Sequence, residues 1–250
     1  MMGERKIIVD RETKKIYLED GKVYKVMGSE YPASDVFNEA LNLAAVGETD
    51  LKVPKLLEVT KIDGNWAIVW EYIEGVTLAE LMEKEPARID ERLNRFVDIQ
   101  VEMHRHSASR LALLKDKLQR KINASGLDAT TRYELSTRLD SLPRHTKLCH
   151  GDFNPSNIII TSGNEAYIID WSHATAGNAS ADAVQTWMQF VLAKQFIVAE
   201  KYFDLFCLKT DTAKQYVDKW IPIVAASHLN KATGEDHNLL HNWASVVEYE

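Results

Sequence analysis

The chain contains only two cysteines, Cys149 and Cys207, among its 250 residues. They form no C-x-x-C pair and sit in no dense Cys/His cluster, so neither a disulfide framework nor a structural zinc site is indicated. Cys149 is read as a small buried apolar residue rather than a nucleophile. No stretch approaches the ~18 consecutive apolar residues of a membrane span. The opening Met1-Met2-Gly3-Glu4-Arg5-Lys6-Ile7 has no long apolar segment, so no secretory signal is expected, and a cytoplasmic protein is. A basic surplus is also missing. The formal net charge is −7, which argues against nucleic acid as the main ligand. There are no repeats and no low-complexity tracts. The remaining composition, 45% hydrophobic and 27% charged, is that of an ordinary globular protein. Its length allows one large domain or two tightly joined lobes. Oligomeric state is not legible.

The first 75 residues read as strand-rich with one helix. Lys6–Val9, Lys15–Glu19 and Val23–Met27 are short apolar or alternating runs, and Asp20-Gly21 marks a tight hairpin turn. Residues 32–46 have helical apolar spacing at Val36, Phe37, Ala40, Leu41 and Ala44, with Gly47 as terminator. Leu56–Lys61 and Trp66–Tyr72 flank a second hairpin signal, Asp63-Gly64-Asn65. A connector around Gly75 leads to Thr77 and Glu80, spaced as a capping box. Residues 89–142 read as mostly helical, broken near Gly126 and Pro143. Short strands follow at 148–149, 158–161 and 166–169, with Ser162-Gly163-Asn164 as a turn. From Ala179 to the end the chain reads as helix, with breaks near Thr210, Pro222 and Thr233-Gly234.

Within this pattern lies the run Cys149-His150-Gly151-Asp152-Phe153-Asn154-Pro155-Ser156-Asn157, followed by Ile168-Ile169-Asp170-Trp171. Asp152 and Asn157 are spaced as in the kinase catalytic loop H-x-D-x-x-x-x-N. Asp170 closes a β-branched apolar run, where a second metal-binding Asp belongs in such a fold. A hydroxyl acceptor needs a carboxylate within hydrogen-bond reach of its proton, and Asp152 is the candidate. Magnesium takes oxygen ligands and is content with one or two carboxylates. Asp170, assisted by Asn157, would hold it against nucleotide phosphates. Gly151 allows a tight turn beside Asp152. His150 is read as orienting the loop. Singly, these residues are a turn and a strand-end cap; jointly, in register with strand–turn–strand, they point to phosphoryl transfer.

Taken together, His150, Gly151, Asp152, Asn157 and Asp170 resemble the signature of the aminoglycoside phosphotransferase and choline kinase-like family. Its members are small-molecule kinases with a protein-kinase-like fold. Trp171 stands where protein kinases usually carry Phe. The resemblance spans residues 5–190 and implies that Lys25, on the third strand, holds the α- and β-phosphates and pairs with Glu39 on the following helix. It also implies an interlobe hinge at Val69–Gly75. There the Glu71 carbonyl and the Ile73 N–H would bond the adenine edge, with Trp70 at the back of the pocket. His104 is expected to support the loop, and Asp182 to brace it from a helix start.

There are departures. The first turn, Asp10-Arg11-Glu12-Thr13-Lys14, lacks the glycines of a phosphate-covering loop, so Thr13 or Lys14 is left to contribute. No Ala-Pro-Glu segment follows Asp170, which argues against an ordinary protein kinase. The resulting expectation is an α+β, two-lobed protein-kinase-like fold: a small antiparallel-sheet lobe over residues 1–74 and a mainly helical lobe over 75–250. The expected activity is ATP-dependent, Mg2+-assisted phosphorylation of a hydroxyl on a small molecule: an aminoglycoside, amino alcohol, sugar or hydroxy amino acid. No nucleic-acid or membrane partner is expected. Acidic residues such as Glu200, Asp204, Glu235 and Asp236 are candidates for acceptor contact. Two alternatives stay open: an atypical small protein kinase and a non-catalytic nucleotide-binding sensor module.

Overall fold

A computed structural model describes residues 5–245. The outermost residues of the expected lobes, 1–4 and 246–250, lie outside the described residues, as does the last part of the expected helical tail.

In chain order the strands are β1 (Lys6–Arg11), β2 (Lys14–Glu19), β3 (Lys22–Met27), β4 (Leu56–Ile62), β5 (Asn65–Glu71), β6 (Val76–Thr77), β7 (Lys147–Cys149), β8 (Ile158–Ile160), β9 (Ala166–Ile168) and β10 (Thr175–Gly177). The helices are α1 (Ala33–Val46), α2 (Leu78–Lys84), α3 (Ile89–Met103), α4 (Leu114–Asn123), α5 (Ala129–Ser141), α6 (Ala179–Leu192), α7 (Phe196–Thr210), α8 (Lys214–Asp218), α9 (Ile221–His228) and α10 (Gly234–Ser245). They group into two units. One holds the described residues up to Pro86 together with Pro155–His173; the other holds Ala87–Asn154 and the chain from Ala174 onward.

The first unit is built on a five-stranded antiparallel sheet of order β1-β2-β3-β5-β4. Asp20-Gly21 and Asp63-Gly64 each place two successive residues at positive φ, as a two-residue hairpin turn compatible with strand twist requires. The first turn needs no glycine of its own because Gly28 supplies the room. A Cβ on Gly28 would lie 2.9 Å from the Glu12 carbonyl oxygen, and the Gly28 N–H bonds the Thr13 carbonyl at 2.9 Å.

Helix α1 lays Val36 and Ala40 on Met27 and Ile68, flanked by Leu56, Val59, Trp66 and Trp70. Its buried face also includes Glu39, Asn42, Leu43 and Val46. Phe37 and Leu41, expected on that face, are instead about half exposed, at 49% and 52%. The helix is rotated so that Glu39 and Asn42 point inward, an arrangement that hydrophobic periodicity cannot register. A second small sheet has the order β6-β8-β9. Gly75 permits the close approach it needs, since a Cβ there would meet the Ile160 carbonyl oxygen at 2.5 Å. Thr77 and Glu80 form the expected capping box of α2.

The second unit is mainly helical, with β7 paired to β10. Its core runs through Phe96, Phe153, Phe190, Tyr202 and Phe206, whose rings stack, tilt or meet edge-on. One reading, of residues 89–142, needs correction. The helix that starts at Ile89 ends at Met103, because Ser107 bridges Lys147 and Leu113 bridges Ala176. Tertiary pairing there overrides local helical pattern. The expected break near Pro222 is present: α8 ends at Asp218 and α9 starts at Ile221, with Pro222 in its first turn, where its missing N–H has no helical partner to lose. Strand β10 was not expected at all. Among the described residues, no helix is long and apolar enough to cross a membrane.

Candidate active site

Two groups of residues carry chemistry, one in each unit. In the first unit, β3 points Lys25 inward and α1 points Glu39 at it. The Lys25 Nζ lies 2.6 Å from Glu39 Oε1 and 3.8 Å from Asp170 Oδ1. Both members of the close pair are buried. Burial works against the Lys25 proton, but Glu39 and Asp170 outweigh it and hold the ammonium above its ordinary range. Burial also pushes the Glu39 carboxyl up, and Lys25 pulls it only part of the way back.

Asp170 follows β9 by two residues and sits at φ 61°, in the left-handed region that costs a non-glycine residue energy. The Ser172 hydroxyl donates to Asp170 Oδ1 at 2.9 Å. The next residue, Trp171, is buried and donates its indole N–H to the Ile168 carbonyl at 3.0 Å. Asn42 of α1 donates to the Trp171 carbonyl at 3.1 Å, fastening the Asp170 segment to the helix that bears Glu39. Asn42 was not read as a site residue, although it lies one helical step from Glu39.

Asn157 ends a short 3-10 turn, Pro155–Asn157, just before β8. Its carbonyl accepts the Ile169 N–H at 2.9 Å, and Ile158 pairs with Ile168. The hairpin therefore brings the Asn157 and Asp170 positions to the same end. The donors these residues offer, a carboxylate and a carboxamide oxygen, are of the hard type that suits Mg2+. Glu71 ends β5, where its N–H bonds the Lys55 carbonyl and its side chain accepts the Lys55 N–H at 3.0 Å. Ile73 is half-buried in the irregular segment that follows. Glu71 pairs across the sheet with Lys22, three residues from Lys25 on β3.

In the second unit, β7 delivers the His150–Asn154 loop, and one face of α6 holds it. Four residues spaced at helical intervals do this. Asp182 Oδ1 accepts the Gly151 N–H at 2.7 Å. Gln185 donates to the Gly151 carbonyl. The Thr186 hydroxyl donates to the Phe153 carbonyl at 2.8 Å, and Gln189 Nε2 donates to Asp152 Oδ1 at 2.6 Å. Gly151, at φ 77°, makes the turn. His150 is fully buried, and its Nδ1 accepts the Asp152 N–H at 3.2 Å, consistent with an orienting role. His104 Nε2 lies 2.9 Å from Asp182 Oδ2. Burial alone would raise the Asp182 carboxyl; His104, the Gly151 N–H and His150 overcome it and keep the group below the ordinary range.

The loop-bracing roles expected of His104 and Asp182 agree with these contacts. Gln185, Thr186 and Gln189 escaped the sequence reading. Their signal was present as polar side chains recurring at helical spacing in an otherwise apolar helix.

The trio His104, Cys149 and Asp182 brings its ligand atoms within 4.8 Å of one another. It is a hydrogen-bonded core rather than a metal site: Asp182 is engaged through both oxygens, and burial pushes the Cys149 thiol well up. Glu200, Asp204, Glu235 and Asp236 are all exposed, with Asp204 paired to Lys214 and Glu235 to Lys194.

A profile described as the phosphotransferase enzyme family matches residues 10–216. A search by sequence among curated proteins gives no significant match. Among solved structures, the chain is similar to a thermostable variant of the aminoglycoside phosphotransferase APH(4)-Ia in ternary complex with AMP-PNP and hygromycin B. The TM-score is 0.72 at 14% identity, covering 97% of this chain and 92% of the other. The choline kinase LicA from Streptococcus pneumoniae gives 0.66 at 15% identity, with the same coverage of 97% and 92%. An aminoglycoside-3'-phosphotransferase of type VIII gives 0.63 at 14% identity, covering 87% of this chain and 93% of the other. The α+β, kinase-like fold expected from the sequence is therefore the fold observed.

Proposed function

Because this chain belongs to the phosphotransferase enzyme family, we propose that it transfers the γ-phosphoryl group of ATP to a hydroxyl of a small molecule, with Mg2+ bound by Asp170 and Asn157. The observation that carries this reading is the placement of Lys25 between Glu39 and Asp170. A buried ammonium held by two carboxylates is fixed in direction, and a fixed cation is what nucleotide phosphates require. Glu39 sets the Lys25 rotamer, and Asp170 ties it to the metal-ligand position. When bound, the metal would neutralise charge developing on the transferred phosphoryl group.

Asp152 acts as the base. Its Oδ1 is held by Gln189, and its backbone is clamped on both sides by α6 and His150. That clamping orients the carboxylate toward the acceptor hydroxyl, whose proton it accepts as the oxygen bonds to phosphorus. The Glu71 carbonyl and Ile73 N–H are assigned to the adenine edge. Backbone groups do that work, so the side chains there specify little.

The test is nucleoside-diphosphate release with ATP and Mg2+ against a panel of aminoglycosides, amino alcohols, sugars, inositols and hydroxy amino acids. Stimulation by one class is expected, with a loss of roughly a thousandfold in Asp152→Asn. Unchanged turnover in Asp152→Asn would remove Asp152 from the mechanism. Absence of transfer to every acceptor, with nucleotide still bound, would favour a sensor over a kinase.

A further inference from the structure

Six non-glycine residues among those described have positive φ, and five of them have a local reason. Asp20, Asp63 and Asn164 lie in hairpin turns, Lys194 directly follows the cap of α6, and Asp211 caps α7. Asp170 is the exception. At φ 61° it stands between the end of β9 and the 3-10 turn Trp171–His173, where neither a hairpin nor a helix C-terminus demands that conformation. A strained backbone of this kind persists only where the surrounding contacts over-determine it.

Here those contacts come from α1, which packs on the turn after Asp170. Asn42 is buried, and its Nδ2 is shared between the Trp171 carbonyl at 3.1 Å and the Ser172 carbonyl at 3.4 Å. Carbonyl oxygens only accept, so the amide must present its nitrogen to them. The Ser172 hydroxyl in turn donates to Asp170 Oδ1 at 2.9 Å, the oxygen that lies 3.8 Å from Lys25 Nζ. One amide thus fixes the backbone whose hydroxyl holds the carboxylate. A buried amide costs free energy unless its bonds repay it. Packing gives no reason for one here, because a leucine would extend the buried row of Val36, Ala40, Leu43 and Val46. Glu39, three residues before Asn42 and also on the buried face, holds Lys25 at 2.6 Å. Helix α1 therefore carries two holders within one turn, one for the phosphate cation and one for the turn that follows the metal carboxylate.

We propose that Asn42 is a positioning residue for the Mg2+ site: it locks the turn after Asp170 and so keeps the Asp170 carboxylate in place before the metal arrives. This rests on the kinase reading above and deepens it. Without the latch, the Asp170 backbone returns to an ordinary φ, and its carboxylate leaves the place beside Lys25. The Lys25–Glu39 pair does not depend on the latch. Nucleotide should therefore still bind, while the metal's contribution to that binding falls.

The test is the affinity of the full chain for AMP-PNP, measured by calorimetry in EDTA and again in saturating Mg2+. The ratio of the two dissociation constants reads the metal's share of binding. In Asn42→Leu that ratio should fall about tenfold or more, the usual effect of losing a group that orients a metal ligand. The affinity in EDTA should not change. Ser172→Ala removes only the hydroxyl of the latch and leaves the buried face of α1 intact. It should lower the ratio by a smaller factor, and it decides the matter if Asn42→Leu does not fold. Asp170→Ala serves as the reference, because it should abolish the metal's share. If Asp170→Ala does so while the two latch variants keep the wild-type ratio, the latch is overturned and the kinase reading stands. A parallel loss of affinity in EDTA overturns it as well, since Asn42 would then merely hold the fold. If Asp170→Ala itself keeps the wild-type ratio, Asp170 is no metal ligand, and the metal assignment falls together with the role of Asn42.

Discussion

Lys25 and Lys117 are both lysines set on regular elements with their stems covered, and burial opposes the proton of each. The outcomes are opposite. Lys25, with Glu39 at 2.6 Å and Asp170 at 3.8 Å, is held above its ordinary range. Lys117, facing other lysines, falls to about 8. The cost of leaving water is of the same kind in both places; the neighbours decide the sign. One environment is completed by the chain's own carboxylates. In the other, the neighbouring charges are mostly positive and add to the effect of burial.

The comparison breaks most severely at Lys25. Lys25→Met should lower kcat/KM by roughly a hundredfold or more, the usual cost of losing a fixed charge donor. It also leaves the Glu39 carboxylate buried without its partner, at a cost of about 3 kcal/mol. Glu39→Gln should cost less on both counts, because Asp170 still faces Lys25. Steady-state kinetics and denaturant unfolding would show this ranking. Equal loss in the two variants would mean that Lys25 works only through Glu39.

Asp182→Asn comes next. It replaces the acceptor of the Gly151 N–H and the partner of His104 in a fully covered position. A loss of about 2 kcal/mol in stability is expected. Because the Asp182 carboxyl is held below its ordinary value, its contribution is present above the unfolded pKa near 4. It is lost as pH falls through the lower, folded value. The variant should therefore lose less stability than the wild type between pH 5 and pH 2. Parallel acid-unfolding curves would refute the role assigned to this carboxylate.

The same contrast explains what could be read from the sequence. The loop signature and the Asp-Gly hairpins were legible because each depends on a few consecutive residues with a fixed backbone requirement. Gly21, Gly64 and Gly151 do sit at positive φ. The Lys25–Glu39 pair was visible only through family resemblance, since a strand lysine and a helix glutamate are ordinarily surface charges. The face of α1 was misjudged because the two polar residues it buries, Glu39 and Asn42, break the apolar count. Gln185, Thr186 and Gln189 were missed for the reason that hid β10: their purpose lies in a backbone far away in sequence. The lowered Lys117 was invisible because Lys231, one of the charges that push it down, lies 114 positions away in sequence.

The smallest effect is the most direct test of the contrast between the two lysines. For Lys117 the folded pKa is about 8, against 10.5 for an ordinary lysine. Between those values the unfolded chain binds more protons than the folded one, so stability must rise with pH across the window. A shift of this size bounds the rise at roughly 3 kcal/mol, and solvent reaching the ammonium reduces it to about 1 kcal/mol. Lys117→Met should abolish the rise and leave the protein more stable at pH 7. Stability measured by denaturant unfolding from pH 7 to pH 10.5, in the wild type and in Lys117→Met, reads both effects. A rise that persists in Lys117→Met would assign it to another group.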